Sequence, residues 1–519
     1  MRLLPIASAI LLVTAASVAF SQTIFSATPN WVSTDVAGYA TGGALADING
    51  DGWPDFVVSN GNDMARQRIA VYYNDGAGHF PGSPSWQSTD IGYHGHLDVA
   101  DVNGDGWPDV AVAVLLNQGG ACAKLYMNNA GSLSLTPSWT STFIAPAFTL
   151  AFGDFNNDGR PDLAVGTGDS YSSTPHIYKN VIHMNVAGGL ETTPSWQSAD
   201  TWCYDSLICL DADNDGWLDL LGIGSKTYNW LYLNNAGALN TTATWHTTDV
   251  ASPFGLMAAA GDLNADGRLD VVLADNNQLT GGSGRFRRYD GQPAGPLAQS
   301  ANWTYSDGYC SAVALADIDA DGDLDLATGA WWDNTRIFYN TGGAFAAASN
   351  WNTSGTSVVE KISFGDIDRD GLIAATEQFA GPRQLNYLRR QPVESVQAVR
   401  VDGVPLTQSQ YYVNREHGWF TVGVAPTSQV EIDYTFSARL DMAIANWDNT
   451  LGNYVFYNQR SCPPDLDGSH VIDLADVAMI LSHYGESGTV GTPGDLDLDG
   501  DVDLSDLSQL LALYGQACS

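Results

Sequence analysis

The stretch DINGDGWPD, from Asp47 to Asp55, sets side-chain oxygens at positions 1, 3, 5 and 9 of a short loop and a glycine at position 6. That spacing suits a hard cation that takes six to eight oxygen ligands, with the glycine permitting the sharp turn. The pattern returns as DVNGDGWPD at Asp101, DFNNDGRPD at Asp154, DADNDGWLD at Asp211, DLNADGRLD at Asp262 and DIDADGDLD at Asp317, and in a broken form, DIDRDG, at Asp366. The ion expected is calcium, because magnesium demands a tighter octahedron and keeps more of its waters. Asp/Asn/Gly clusters also make ordinary turns, but turn chemistry does not require the same spacing seven times over.

The elements that must position these loops repeat on the same beat. The loops start 54, 53, 57, 51, 55 and 49 residues apart, and Trp31, Trp86, Trp139, Trp196, Trp245, Trp303 and Trp351 each sit in a frame like SPSWQSTD. Segments such as AVYYN, KLYMN, WLYLN and RIFYN read as strands. Each unit therefore holds strand A before the loop, B straight after it, C ending in the Tyr-x-Asn segment and D around the Trp. Two places before the first ligand stand Leu45, Val99, Phe152, Cys209, Ala260, Leu315 and Phe364; one place before it stand Ala46, Ala100, Gly153, Leu210, Gly261, Ala316 and Gly365. Mostly large residues thus alternate with mostly small ones at the strand period of two, which lets wedge-shaped sheets fill their shared space. Seven units of about 50 residues without a long amphipathic helix point to a seven-bladed β-propeller.

At these residues the chain resembles the FG-GAP/VCBS repeat family, which includes the integrin alpha propeller, over roughly Trp31 to Asn458. The resemblance implies calcium in the A–B loops. Its ligands would be Asp47, Asn49, Asp51 and Asp55; Asp101, Asn103, Asp105 and Asp109; Asp154, Asn156, Asp158 and Asp162; Asp211, Asp213, Asp215 and Asp219; Asp262, Asn264, Asp266 and Asp270; and Asp317, Asp319, Asp321 and Asp325. The carbonyl at position 7, that of Trp53 in the first loop, would add a further ligand. The scaffold serves adhesion, sugar binding and some polysaccharide lyases, so the resemblance does not choose a function.

The seventh loop keeps Asp366, Asp368 and Asp370 but has Ala374 at position 9. Two residues are candidates to close it: Glu377, at the position 12 of an EF-hand, and Asp441, because RLDMAIANWDN matches DLDLATGAWWDN of the sixth unit. Gln378 to Ser437 then reads as a small β insertion in the loop.

From Cys462 the period changes to 30, with DLDGSHVIDLAD leading to VAMILSHYG and DLDLDGDVDLSD leading to LSQLLALYG. Leu474, Val477, Ile480, Leu481 and Tyr484 recur as Leu504, Leu507, Leu510, Leu511 and Tyr514, one apolar face per helix. Here the chain resembles a type I dockerin, a small α-helical EF-hand-like domain. The resemblance implies calcium ligands at Asp465, Asp467, Ser469, Asp473 and Asp476, and at Asp495, Asp497, Asp499, Asp503 and Asp506. It implies a cohesin-like or cell-surface protein as partner, although Leu474-Ala475 and Leu504-Ser505 stand where cohesin-binding dockerins often carry a Ser/Thr pair.

Residues 1–21 read as an export signal, with Arg2 before an apolar run and a small-residue end. The domains expected are that signal, a propeller over 22–460 and the dockerin-like 461–519, in a protein secreted or held at the cell surface. The formal charge of −37 argues against nucleic acid and anionic membranes as partners, and no later run is apolar enough to span a bilayer. More than half of the 58 acidic residues lie in the calcium loops, and nine filled sites would bring −37 + 18 to −19. Among six cysteines, Cys462 with Cys518 is the best pair; Cys203 with Cys209 is a second candidate, and Cys122 and Cys310 read as buried thiols.

The sequence holds no HExxH, no GxSxG and no complete P-loop. His94, His96 and Asp98 form the one group with acid–base types, beside the plainer reading of polar residues at a strand edge. Trp53, Trp107 and Trp217, at position 7 of their loops, are expected to pack over the loop. Tyr39, Tyr93, Phe254 and Tyr309 stand eight residues before the first calcium ligand, with Tyr204 one place and Phe148 two places later in their units. They either form an aromatic rim for a glycan or protein ligand or pack between blades. The function expected is ligand binding by a tethered calcium propeller; a propeller-type polysaccharide lyase or hydrolase, and a structural cell-surface protein, are the alternatives.

Overall fold

The computed structural model describes residues 24–35, 38–115, 120–168, 170, 177–249, 254–459, 466, 472–487, 494–497 and 499–515. The export segment 1–21, Cys462 and Cys518 lie outside them.

The first blade is the antiparallel sheet Ala40–Ala46, Asp55–Asn60, Ala70–Tyr72 and Trp86–Gln87, in sequence order. Blades 2 to 6 repeat that order, with strands A at His94–Ala100, Ala147–Gly153, Tyr204–Leu210, Gly255–Gly261 and Tyr309–Ala316. Strands A of consecutive blades lie side by side, and that of blade 1 packs on that of blade 7, so the ring closes. Blade 7 takes its strands from both ends of the propeller: Ser357–Gly365, Asp441–Asn446, Tyr454–Phe456 and, as its outermost strand, Trp31–Val32. Trp31 is opposite Val455 and Val32 opposite Tyr454. Strand B of blade 6, Asp325–Asp333, overruns its own blade and pairs Trp331 with Val358 of blade 7.

The alternation along strand A does what its sizes imply. A Cβ built on Gly153 would lie 2.9 Å from Cys209 Sγ, and one on Gly365 would lie 3.0 Å from Leu45 Cδ1. The larger residue of one blade therefore sits where the neighbouring glycine leaves room, and a side chain there would force the blades apart.

A second device joins the blades. The asparagine that ends strand C donates from Nδ2 to the position 2 carbonyl of the preceding blade's loop: Asn128 to Ile48 (2.8 Å), Asn185 to Val102 (2.7 Å), Asn234 to Phe155 (2.8 Å), Asn340 to Leu263 (2.8 Å) and Asn74 to Ile367 (2.9 Å). The last of these spans the closure of the ring. Asn128→Ala should lower stability by about 1–3 kcal/mol, the cost of a buried carbonyl left unpaired; an unchanged denaturant midpoint would remove the latch from the account.

Between Gly371 and Asp441 the chain leaves blade 7 as a β insertion. It begins earlier than residue 378, since the strand Leu372–Ala380 starts directly after the loop glycine and pairs along its whole length with Gln429–Ser437. These two join Ser395–Val401 and Val404–Pro405 in one sheet, and Leu385–Tyr387, Trp419–Val422 and Tyr411–Asn414 form a second. Val399, Phe420, Ile432 and Phe436 belong to a core of its own. Leu385, Tyr412 and Trp419 instead join the core of blades 2 to 4 beside Phe152 and Cys209, and Glu416 reaches Lys361 of strand A in blade 7 at 2.5 Å. The insertion therefore caps the end of the ring at which the A–B loops emerge.

Cys122, Cys203, Cys209 and Cys310 are buried thiols that form no disulfide with one another. Cys209 is committed to the blade contact with Gly153, which corrects the pairing with Cys203.

At the C-terminal end the described residues form two helices, Leu474–His483 (α1) and Leu504–Leu513 (α2). Each starts at a reciprocal cap, Asp473 with Asp476 and Asp503 with Asp506. The repeated apolar set does not bury as one face. Ile480 and Leu510 are buried with Val477 and Leu507 against them, whereas Leu474, Leu481, Tyr484, Leu504, Leu511 and Tyr514 are exposed.

Candidate metal centres and the opposite face

In the first loop Asp47 Oδ1 accepts from the backbone N–H of Gly50 (2.7 Å) and Asp51 (3.1 Å), and Oδ2 from that of Gly52 (2.9 Å). Asn49 Oδ1 accepts from Asp51 N–H and Asp51 Oδ1 from Trp53 N–H, at 2.8 and 2.9 Å. Asp55, at position 9, fixes the base: its Oδ2 takes the N–H of Ile48 (2.9 Å) and its Oδ1 that of Asn74 (2.9 Å). These bonds curl the backbone into a tight loop held at both ends of the motif. The two-point hold on position 9 recurs at Asp109, Asp162, Asp219, Asp270, Asp325 and Asp441, all buried.

Three ring loops bring three carboxylates within 4.8 Å of one another: Asp211, Asp213 and Asp219; Asp317, Asp319 and Asp325; Asp366, Asp368 and Asp441. In the seventh loop it is Asp441 that lies with Asp366 and Asp368. Glu377 lies on the insertion strand and accepts from Tyr434 Oη at 2.5 Å. Asn at position 3 of the loops at Asp47, Asp101, Asp154 and Asp262 leaves three carboxylates and an amide oxygen in each.

Burial and crowding raise the position 9 carboxyls. Burial lifts Asp55 and Asp109 to about 7 and Asp219 to about 8, and burial with neighbouring carboxylates lifts Asp325 to about 9. A hard divalent cation fits this donor set: the ligands are all oxygen, the crowded negative charge needs a counter-charge, and Asp368 Oδ1 is buried without a hydrogen-bond partner.

Loop position 7 packs as expected. Trp107 lies against Gly50 of the neighbouring loop, and the Arg369 guanidinium stands 5.8 Å over the Trp53 ring.

In the C-terminal pair, Asp476 and Asp506 at position 12 accept from the N–H of Leu466 (2.7 Å) and Leu496 (2.6 Å). Asp495, Asp497 and Asp506 form a fourth triad, and Asp495 Oδ1 is buried and unpartnered. Asp499 is described beside them. Asp465, Asp467 and Ser469 lie outside the described residues.

The residues expected at the opposite rim divide. His94, Tyr204 and Phe254 are wholly buried, so the two aromatics take the packing alternative and His94 is closed to a ligand: Tyr204 Oη meets Tyr232 Oη at 3.0 Å, and His94 Nδ1 faces Asn60 O at 2.9 Å. Phe148 is also buried, with its ring against His96. Tyr39, Tyr93 and Tyr309 stay partly exposed. His94, His96 and Asp98 make no shared hydrogen-bonded group: His96 Nδ1 faces Thr149 Oγ1 and Asp98 accepts from Phe152 N–H. Burial lowers His94 to about 4 and His96 to about 3, so both are neutral near pH 7.

The ends of strands B carry further aromatics that spacing from the loops does not point to. Trp331 stacks on Trp447 (5.6 Å, 18°), Trp447 meets Tyr39 at 5.8 Å, and Tyr309 meets Trp332 edge-on at 5.9 Å. Trp332 is 53% exposed in the left-handed region (φ 57°), where a bulky residue is a strained exception. In blade 4, Trp202 stacks on Trp230 at 5.1 Å. The signal available in sequence was the AWWDN run and its echo ANWDN.

The fold and its loops define the class, an FG-GAP β-propeller. The FG-GAP-like repeat matches residues 47–112, 211–273, 262–328 and 317–373, and the FG-GAP repeat matches 147–178. The chain is 30% identical over 196 residues to human (Homo sapiens) integrin alpha-7, covering 33% of this chain and 16% of that protein. It is 25% identical over 170 residues to human integrin alpha-6, covering 29% of this chain and 14% of that one. The match thus spans less than a fifth of either relative. Among solved structures, Saccharomyces cerevisiae Sqt1 aligns with 82% of this chain and 97% of its own at 10% identity and a TM-score of 0.44. No helix among the described residues is long and apolar enough to cross a membrane.

Proposed function

We propose that this protein is an exported, calcium-binding propeller that binds an extracellular ligand, a glycan in the first place, on the face opposite its calcium loops. The observation that carries the site is Trp332, strained and exposed, at the edge of a group of partly exposed aromatics, Tyr39, Tyr309 and Trp447, that is seated on buried Trp331 across blades 1, 6 and 7. Exposed indole faces stack on the apolar faces of sugar rings, and tyrosine hydroxyls serve the sugar's polar edge. Backbone strain kept on an exposed tryptophan is the kind that ligand clamps retain. The other end of the ring is capped by the insertion, which leaves this face for a ligand.

The C-terminal pair would tether the propeller. The support is the duplicated exposed set Leu474, Leu481, Tyr484 and Leu504, Leu511, Tyr514, which a cohesin-like or cell-surface protein would cover.

A glycan array probed with the calcium-loaded protein tests the first claim. Trp332→Ala should weaken retention on any positive glycan at least tenfold while leaving the melting curve in place. Undiminished retention, or an array without signal, would refute the patch as a glycan site.

A further inference from the structure

The insertion touches the metal loops unequally, and the difference is sharpest at the position 1 carboxylate. In every ring loop the position 1 Asp uses Oδ2 to accept the position 6 glycine N–H, as Asp47 does from Gly52 and Asp366 from Gly371 at 3.0 Å. In three loops that same oxygen also takes a donor from the insertion: Thr421 Oγ1 on Asp154 (2.6 Å), Arg390 Nη1 on Asp317 (2.6 Å) and Ser437 Oγ on Asp366 (3.0 Å). In a fourth, Arg383 Nη1 stands 3.9 Å from Asp211 Oδ2, and Tyr387 Oη accepts the Asp211 N–H at 2.9 Å. Asp154, Asp211, Asp317 and Asp366 are buried, whereas Asp47, Asp101 and Asp262 are half-exposed and, among the described residues, take only loop donors. Between the insertion and blades 1, 2 and 7 a cleft of about 450 Å³ remains, bordered by Asp47, Asp101 and Glu416, so two of the loops without such a donor face open space.

We propose that the β insertion supplies the outer coordination shell of the loops in blades 3, 4, 6 and 7, and that the ring therefore carries two classes of calcium site. This rests on the calcium reading above. A donor on Oδ2 would fix the carboxylate's orientation and so leave Oδ1 placed to serve as a ligand, and removing such outer-shell partners costs 10- to 100-fold in metal affinity. Thr421, Arg390 and Ser437 are positioning residues, not ligands. The coupling is reciprocal: whatever the insertion adds to calcium affinity, calcium adds to the docking of the insertion over the ring.

Calorimetric calcium titration of the full chain, stripped with EDTA and exchanged into metal-free buffer, tests this with Thr421→Val, which keeps the buried shape and deletes the donor. One site should weaken 10- to 100-fold at unchanged total stoichiometry, and the calcium concentration that protects the insertion from trypsin should rise. Ser409→Ala, in the insertion against Gly104 of the second loop but without a bond to Asp101, should change neither. Superposable Thr421→Val and parental isotherms with calcium taken up would overturn the outer-shell role alone. No uptake by the parent would overturn the calcium reading and this inference with it.

Discussion

Adding EDTA should lower the melting temperature of this protein by about 10 °C near neutral pH. At a site dissociation constant of about 0.1 mM, millimolar calcium contributes about 1.4 kcal/mol per site, so seven ring sites contribute about 10 kcal/mol. With an unfolding entropy of about 2.1 cal/mol/K per residue over roughly 430 residues, that corresponds to a shift of about 10 °C. The effect should grow with pH. In the metal-free protein the position 9 carboxyls titrate above their ordinary 3.8, at about 7 for Asp55 and Asp109, about 8 for Asp219 and about 9 for Asp325. The folded state then binds protons more tightly than the unfolded chain, so metal-free stability is full near pH 4 and declines as the pH rises toward 7 to 9. Calcium requires the ionised carboxylates, so its stabilisation runs the other way and fades as the pH falls. Melting curves at pH 5 and pH 8, each with calcium and with EDTA, check both signs. A calcium increment equal at the two pH values would rule out the position 9 carboxyls as ligands.

Much of this arrangement was legible because six of the seven repeats write their candidate ligands within nine consecutive residues and all seven write their packing code within strand A. Asp441 was legible as one of two candidates for a related reason: the displaced strand B kept the pattern of its neighbour, although 74 positions separate it from its bonding partner Ile367. The insertion's hold on the loops had no such signature. Thr421 meets Asp154 across 267 positions and Arg390 meets Asp317 across 73, and neither residue type is unusual where it stands. The opposite face failed for another physical reason. Placing an aromatic eight residues before a loop says which end of the ring it occupies, not whether it turns in, as Tyr204 does toward Tyr232, or out. Trp332 turns out through a left-handed backbone angle that only the three-dimensional setting imposes. The C-terminal helices show the same limit: the period of Leu474, Ile480 and Leu481 marks an apolar surface, and only packing shows that Ile480 alone of these three is covered.

Deleting residues 24–35 should cost the propeller its solubility. This segment is the outer strand of the last blade, and it carries the join between the two ends of the ring. Trp31–Val32 pair with Tyr454–Phe456, Phe25 bridges Asn458, and Gln459 N–H donates to Ile24 O at 2.7 Å. Ile24 and Phe25 are buried, with Phe25 against Trp351, whose Nε1 donates to Phe25 O at 2.9 Å, and the Trp31 ring meets Tyr72 and Phe80 of blade 1. Losing three such side chains removes about 5 kcal/mol of apolar burial. It also bares the backbone edge of Tyr454–Phe456 for pairing with another chain. The expected outcome is aggregation on expression, with Phe25→Ala as the milder counterpart that folds and loses about 3–5 kcal/mol. The contact between Gln459 and Ile24 offers a rescue. A circular permutant that starts at residue 38 and carries 24–37 after Gln459 through a short glycine-rich linker restores these pairings with a different chain order, so it should be soluble and should melt near the parent. A soluble deletion that melts like the full chain would show that the ring closes without this strand. A permutant that aggregates while the parent does not would place the importance of the segment in its order of synthesis instead of its pairing.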